Sequence, residues 1–332
     1  MRTVTVSQDV ERKVVTILRV LAEHEEPVGA RKIALRLREY GIELSERAVR
    51  YHLQLMDERG LTVGFGEAGR QITDLGRDEL QNALVSDKIG FVRSRIEGLA
   101  YQTTFDVERR TGDIVVNVSL IARHRFVETV EAVKPAFRAG YSMGELVAVV
   151  ESGERVGSQR VPEGYVGLAT VCSVTLNGVL LRRGLPIQSR FGGLLQIRDH
   201  RPLRFTDVID YSGTTLDPLE IFITSGLTSV QTASESGEGK IGAGFREIPA
   251  VTLPGVRKVL EAFTGARLGG AMAIGAPSQP LLEMPVDIDM AGLVVVGGLT
   301  PLAAAHEAGI PVINKAMSTT MPFEALQSIW EI

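Results

Sequence analysis

The chain has 332 residues, enough for two or three domains, with 44% hydrophobic and 23% charged residues, the balance of a folded globular protein rather than a disordered one. A net charge of -4 excludes a protein that coats nucleic acid over its whole surface, but not a compact module with one basic face. The single cysteine excludes an intrachain disulfide, and no Cys/His cluster has zinc spacing. There is neither a signal-like leader nor an apolar run of about 18 residues, so the chain reads as cytoplasmic with no membrane partner.

The N-terminal 80 residues divide into three short helices and a hairpin. Val10, Val14, Ile17, Leu18 and Leu21 recur at helical spacing until "EEP" stops the first helix. The second runs from about Gly29 to Glu39, with Ile33, Ala34 and Leu37 inward, and ends at Gly41. The third starts at Ser45, which has N-cap chemistry, and ends near Gly60. "LTVGFG" and "RQITDLG" then alternate as the strands of a small wing.

This order predicts a winged helix-turn-helix DNA-binding domain over 1–80, with the third helix as the reader of double-stranded DNA. Ala48, Val49, Leu53 and Met56 form its inner face; Arg47, Arg50, Tyr51 and Gln54 form the outer face. Arginine is bidentate to guanine and glutamine to adenine, Ser45 or Tyr51 can hold phosphate, and Arg70 in the wing is a further contact. Residues 1–80 hold 13 Lys/Arg against 14 Asp/Glu, so the placement of charge, not its sum, carries this reading.

Residues 81–100 predict a linker helix with Ile89, Phe91, Val92 and Ile96 apolar, and 101–332 an α/β effector-sensing and dimerisation domain. "RFVETVEAVKPAFRAG" has the pattern of an amphipathic helix and "GELVAVVES" that of a strand. An internal echo follows: "GVLLRRGLPIQSRFGG" resembles "LAAAHEAGIPVINKAMS", with Gly184-Leu185-Pro186-Ile187 on Gly309-Ile310-Pro311-Val312 and Arg190 on Lys315. More loosely, "RFTDVI" echoes "PFEALQ". Each unit reads strand, small polar turn, short helix, Gly-x-Pro, strand, and two such units predict a pseudo-twofold with two related crevices.

Small polar residues end a buried strand in both units: Cys172, Ser173, Thr175, Asn177 and Gly178 in one, and Gly297 through Gly298 to Thr300 in the other. Helix N-termini carry unpaired N–H groups and partial positive charge, so such turns suit anions, with Arg190 or Lys315 adding a full charge. The plain alternative is that Ser173, Thr175, Asn177 and Thr300 only cap their helices. Cys172 as a catalytic nucleophile lacks a histidine nearby in sequence, the nearest being His200. His24, His52 and His306 make no ligand pair, so neither enzyme nor metal site is expected. "YSGTTLDPLEIFI" places a turn at Asp217-Pro218 leading into a strand, and "ESGEGKIGAGFREIPAV", with Lys240 and Arg246, reads as a mobile loop beside a strand able to close over an anion.

The strings "ELSERAVRYHLQLMDERGL", "TVCSVTLNGVLLRRGLPIQSRFGGLLQI", "YSGTTLDPLEIFI" and "GEGKIGAGFREIP" together resemble the NrpR family of archaeal repressors of nitrogen-assimilation genes. The resemblance covers nearly the whole chain. It implies a repressor with a winged helix-turn-helix and one nitrogen-regulatory domain, released from a palindromic operator by 2-oxoglutarate, with no cofactor. It places a cysteine of the effector response on Cys172, and implies a homodimer or tetramer, with a second sensor protein lacking a reader as a further partner. Two rival readings are a cysteine-dependent enzyme fused to a winged helix, and a non-sensing scaffold for a partner regulator.

Overall fold

The computed structural model describes residues 3–24, 26–82, 90–157 and 159–332, which fall into two compact units divided after Lys88. The Val10 side chain and Ile89, both expected in apolar faces, lie outside the described residues.

In the first unit α1 (Thr3–Ala22), α2 (Ala30–Leu37) and α3 (Glu46–Glu58) precede the strands β1 (Thr62–Gly64) and β2 (Arg70–Ile72) and the helix α4 (Asp74–Asn82). Ile17, Leu18, Leu21, Ile33, Leu37, Val49, Leu53 and Met56 share one buried core, so the apolar spacing of the three helices converges as their sequences require. Gly41 closes the second helical segment in the left-handed region. Ser45 caps α3, its Oγ accepting the Ala48 N–H at 3.2 Å. The wing is antiparallel, with Thr62 opposite Ile72, and Val28 extends it by pairing with Arg70. Gly69, at φ 115°, passes so close that a Cβ there would sit 2.3 Å from the Val28 carbonyl.

The second unit opens with α5 (Phe91–Gln102). Its Val92, Ile96, Leu99 and Ala100 are buried with Val115, Cys172, Val174, Tyr211 and Met317, so the helix assigned from sequence to a linker over 81–100 is part of the second unit's core. Two repeats follow. The first runs β3 (Asp113–Ala122), α6 (Phe126–Arg138), β4 (Leu146–Val150), a short hairpin of β5 (Arg155–Val156) and β6 (Gln159–Arg160), β7 (Tyr165–Val171), α7 (Val174–Arg182) and β8 (Gln188–Arg198). After β9 (Arg201–Asp210), α8 (Pro218–Thr224) and α9 (Val230–Ser236), the second runs β10 (Gly239–Pro249), α10 (Leu253–Gly265), β11 (Ala271–Ile274), β12 (Met290–Val296), α11 (Thr300–Glu307) and β13 (Val312–Pro322), with β14 (Gln327–Ser328) after it.

The pairing is antiparallel throughout two five-stranded sheets, ordered β13-β3-β7-β4-β14 and β11-β12-β10-β8-β9. Each repeat therefore hands its last strand to the other's sheet: β8 flanks β10 while β13 flanks β3. That exchange locks the two halves together about the pseudo-twofold that the sequence echo predicts. Gly184 and Gly309 end the twin helices with φ 69° and 74°.

Three sequence expectations are corrected. Asp217-Pro218 starts a helix, not a strand: the Asp217 carboxylate accepts the Leu219 and Glu220 N–H groups, with Pro218 in the first turn. The glycine-rich segment read as a mobile loop is β10, a buried strand paired on both edges. Its glycines give room, not mobility, since a Cβ at Gly242 would press on Thr300 and Leu219 at 3.0–3.1 Å. Nor is the loose echo of "RFTDVI" by "PFEALQ" structural: β9 joins β8, whereas β14 joins β4.

Candidate functional site

The strand-to-helix turns of both repeats open onto one small cavity of about 30 Å³, enough for roughly two waters. Its walls are Cys172 to Val174 from the start of α7, Gly297 to Leu299 from the start of α11, Ile96, Asn117, Tyr211, Asp217, Leu219, Arg246, Ala316 and Met317. The two crevices predicted from the echo are thus one, on the axis between the repeats. Glycine is required at the second turn: a Cβ on Gly298 would fall 2.2 Å from the Val171 carbonyl and one on Gly297 2.0 Å from Leu219.

Neither helix start is capped by a side chain, which removes capping as the role of Ser173, Thr175, Asn177 and Thr300. Thr175 spans to β3, accepting the Val115 N–H and donating to the Val115 carbonyl, both at 3.0 Å. Thr300 reaches β10 by donation alone, to the Gly242 carbonyl at 2.8 Å. These hydroxyls stitch each helix start to a strand and have no capacity turned to a ligand. Thr175→Val should therefore lower unfolding free energy by about 1–3 kcal/mol, the cost of an orphaned buried Val115 N–H, with effector affinity unchanged in calorimetry.

Arg246, on β10, is the cation of the cavity. It is 2% exposed. Its Nε donates to Asn177 Oδ1 at 2.9 Å, Nη2 to Ser173 Oγ at 2.8 Å, and Nη1 reaches the Gly244 carbonyl at 3.4 Å. Among the described residues no carboxylate pairs with it, and burial depresses its pKa. A buried guanidinium held only by neutral groups is costly, and an arriving anion would offset that cost. Asn177 orients this arginine, its own amide donating to Ser189 Oγ at 2.9 Å. Gly178 lets α7 approach α5, since a Cβ would come 2.4 Å from Thr103.

Arg190 and Lys315 do not reach the cavity. Arg190 is paired with buried Glu247 at 2.5 Å and with Asp287 at 3.4 Å, while Lys315 is exposed on β13. The sequence reading names Arg246 but sets it on a mobile loop; on the strand, "FREI" puts Arg246 and Glu247 on opposite faces.

Burial dominates the acid–base character of the walls. The Cys172 thiol is pushed up to about 11, so it stays protonated and is a poor nucleophile. Tyr211 is likewise raised by burial. Asp217, its carboxyl enclosed although part of the residue stays exposed, is pushed up to about 6, first by burial and then by Glu220. One wall is a break in β13 between Lys315 and Thr319. There Met317 sits at φ 47°, its N–H donating to Asn117 Oδ1 and its carbonyl accepting from Arg95 of α5, both at 2.9 Å. Glu220 accepts the Ala316 N–H beside it.

In the first unit Ser45, Arg47, Arg50, Tyr51 and Gln54 all lie exposed on or at the start of α3. Arg50 pairs with Glu46 one turn back, and Gln54 reaches Glu58 at 3.5 Å. Arg70 is held by Asp57 at 3.0 Å, so its free charge in the wing is smaller than the sequence suggests. Arg31, Lys32 and Arg38 of the second helical segment line a groove with Ser45 and Glu46, a cluster of basic side chains that the sequence reading omitted. Among the described residues no helix is long and apolar enough to cross a membrane, and no cluster of three or more ligating side chains could hold a metal.

A winged helix whose third helix exposes Arg47, Arg50, Tyr51 and Gln54, followed by a two-sheet α/β unit with a small polar cavity, defines a DNA-binding transcription regulator that carries its own regulatory domain. Residues 89–328 match the model of NrpR regulatory domains NRD1 and 2, and residues 15–80 that of the ribonuclease R winged-helix domain. The chain is 41% identical to the global nitrogen regulator NrpRI of Methanosarcina mazei, across 96% of this chain and 98% of that protein. It is 35% identical to the global nitrogen regulator NrpR of Methanococcus maripaludis and 32% to that of Methanocaldococcus jannaschii, spanning 51% and 56% of those longer proteins. The crystal structure of a nitrogen repressor-like protein from Methanococcus jannaschii superimposes with a TM-score of 0.61 at 29% identity, over 72% of this chain and 98% of that one. The chain belongs to the NrpR family: it is a nitrogen-regulating repressor, not an enzyme.

Proposed function

We propose that this repressor occupies a palindromic operator of nitrogen-assimilation genes in the cytoplasm as a homodimer or tetramer, and leaves it when 2-oxoglutarate enters the cavity between the repeats. The observation that carries this is Arg246, buried with no carboxylate partner among the described residues, beside two uncapped helix starts. A small dicarboxylate supplies what that arrangement lacks: one carboxylate for the guanidinium, and negative charge for the amides at the starts of α7 and α11. Cys172 and Ser173 line the wall it would touch, with the thiol acting as a neutral packing group.

The cavity is too small for a five-carbon diacid as it stands, so binding would displace a wall. At Met317 the ladder from β13 to β3 is broken, and this wall is tied through Arg95 to α5, the first described helix of the second unit. Displacement there gives the effector a route to the separation of two readers, the quantity a two-half-site operator tests. A coupling of about 1–3 kcal/mol would shift operator affinity about 5- to 150-fold. Gel shift of the operator with and without 2-oxoglutarate tests the reading directly. Release within that range is expected, and an unchanged midpoint at saturating 2-oxoglutarate would refute it. If release requires an added sensor protein lacking a reader, the same assay shows it.

A further inference from the structure

We propose that Asp217 sets the affinity of the anion cavity: a dianion is held firmly only when this carboxyl takes up a proton, so effector capture is proton-coupled. The inference rests on the effector reading given above. Its basis is a juxtaposition. Asp217 and Arg246 line the same small cavity, yet they are not paired. Asp217 is engaged with the Leu219 and Glu220 amides at the start of α8, and Arg246 with Asn177 and Ser173. An anion arriving at Arg246 therefore meets a second negative group across the cavity, enclosed where screening by water is weak.

The neighbours leave Asp217 as the group that titrates near neutrality. Glu220 on its own helix pushes it up, and Arg95 from α5 pulls it down more weakly. Glu220 is itself raised by burial and opposed by Arg95 and by Lys315 of β13. The Cys172 thiol, at about 11, and the Tyr211 phenol, raised further, stay protonated. Arg246 stays charged, as a guanidinium does in proteins. Asp217 without effector stands at about 6, and a bound dianion raises it further.

The sign follows. Below about pH 6 the carboxyl is neutral with or without effector, and affinity is flat. Above that, binding must draw in a proton, so affinity falls as pH rises, by at most about tenfold per unit. Above the pKa of the occupied state it levels off again.

Calorimetry of the full chain with 2-oxoglutarate from pH 6 to 8.5, in two buffers of different ionisation enthalpy, tests this. Wild type should weaken over that range, with proton uptake rising from about half a proton per effector at pH 6 toward one above it. Asp217→Asn keeps a side-chain acceptor for both α8 amides. It should bind at pH 8 at least as tightly as wild type at pH 6, with no proton uptake and no pH dependence. Glu220→Gln should keep the uptake. A pH-independent wild type, or an Asp217→Asn variant that still takes up a proton, overturns the proposal while leaving the effector reading intact. No binding of 2-oxoglutarate by wild type at any pH sinks the effector reading, and this inference with it.

Discussion

Arg246→Gln is expected to abolish the response to 2-oxoglutarate while leaving the repressor on its operator. A charge-assisted bond from a desolvated guanidinium to a carboxylate is worth about 2–5 kcal/mol when one partner is truncated, so the dissociation constant should rise by about 30-fold to several thousandfold. Glutamine is the informative replacement because it keeps a donor for Asn177 Oδ1 or Ser173 Oγ, two of the neutral groups now holding the arginine. Stability should not fall with affinity. The wild-type cation is buried with no carboxylate partner among the described residues, and replacing such a charge by a neutral amide relieves its desolvation. The expected signature is thus a Tm at or above that of wild type, an unchanged gel-shift midpoint without effector, and no release at concentrations that free wild type. Normal calorimetric affinity in this variant would move the pocket away from Arg246.

The sequence names that arginine as a cation for an anion but sets it on a mobile loop rather than a strand, for a reason that recurs. The winged helix was legible because each helix buries its apolar face within its own unit, and Ser45, Gly41 and Gly60 mark the ends by local chemistry. The echo around Gly184 and Gly309 was legible because the αL cap demands glycine in both repeats. Strand β10 was not, because Gly239, Gly242 and Gly244 are small for the sake of α9, α8 and Tyr211 packed over them, and that demand comes from residues remote in the chain. The same holds for Thr175 and Thr300. Sequence places a threonine at a helix start, where capping is the local expectation, but the hydroxyls turn instead to Val115 and Gly242 of neighbouring strands. Exchange of β8 and β13 between sheets also explains Arg190 and Lys315. They hold equivalent positions in the echo, yet β8 sets Arg190 against Glu247 of β10, and Lys315 is exposed on β13.

The second large effect concerns the reader. Arg50→Ala should weaken operator binding by about 1–3 kcal/mol, five- to 150-fold, with effector affinity unchanged. In the free protein Arg50 is exposed and paired with Glu46 one turn earlier, a contact worth only about 0.3–0.5 kcal/mol, so DNA can take the guanidinium at little cost. The form of the loss separates its two possible partners. If Arg50 reads a guanine edge, the variant loses discrimination at one base pair per half-site while the salt dependence barely changes. If it meets phosphate, affinity falls evenly across sequences and the slope of log K against log salt drops by about one per contact. Arg31→Ala, in the groove beside Ser45, should follow the phosphate pattern and serves as the internal standard. An Arg50→Ala midpoint equal to wild type would remove this residue from the reading face and leave Arg47, Tyr51 and Gln54 to account for the base contacts.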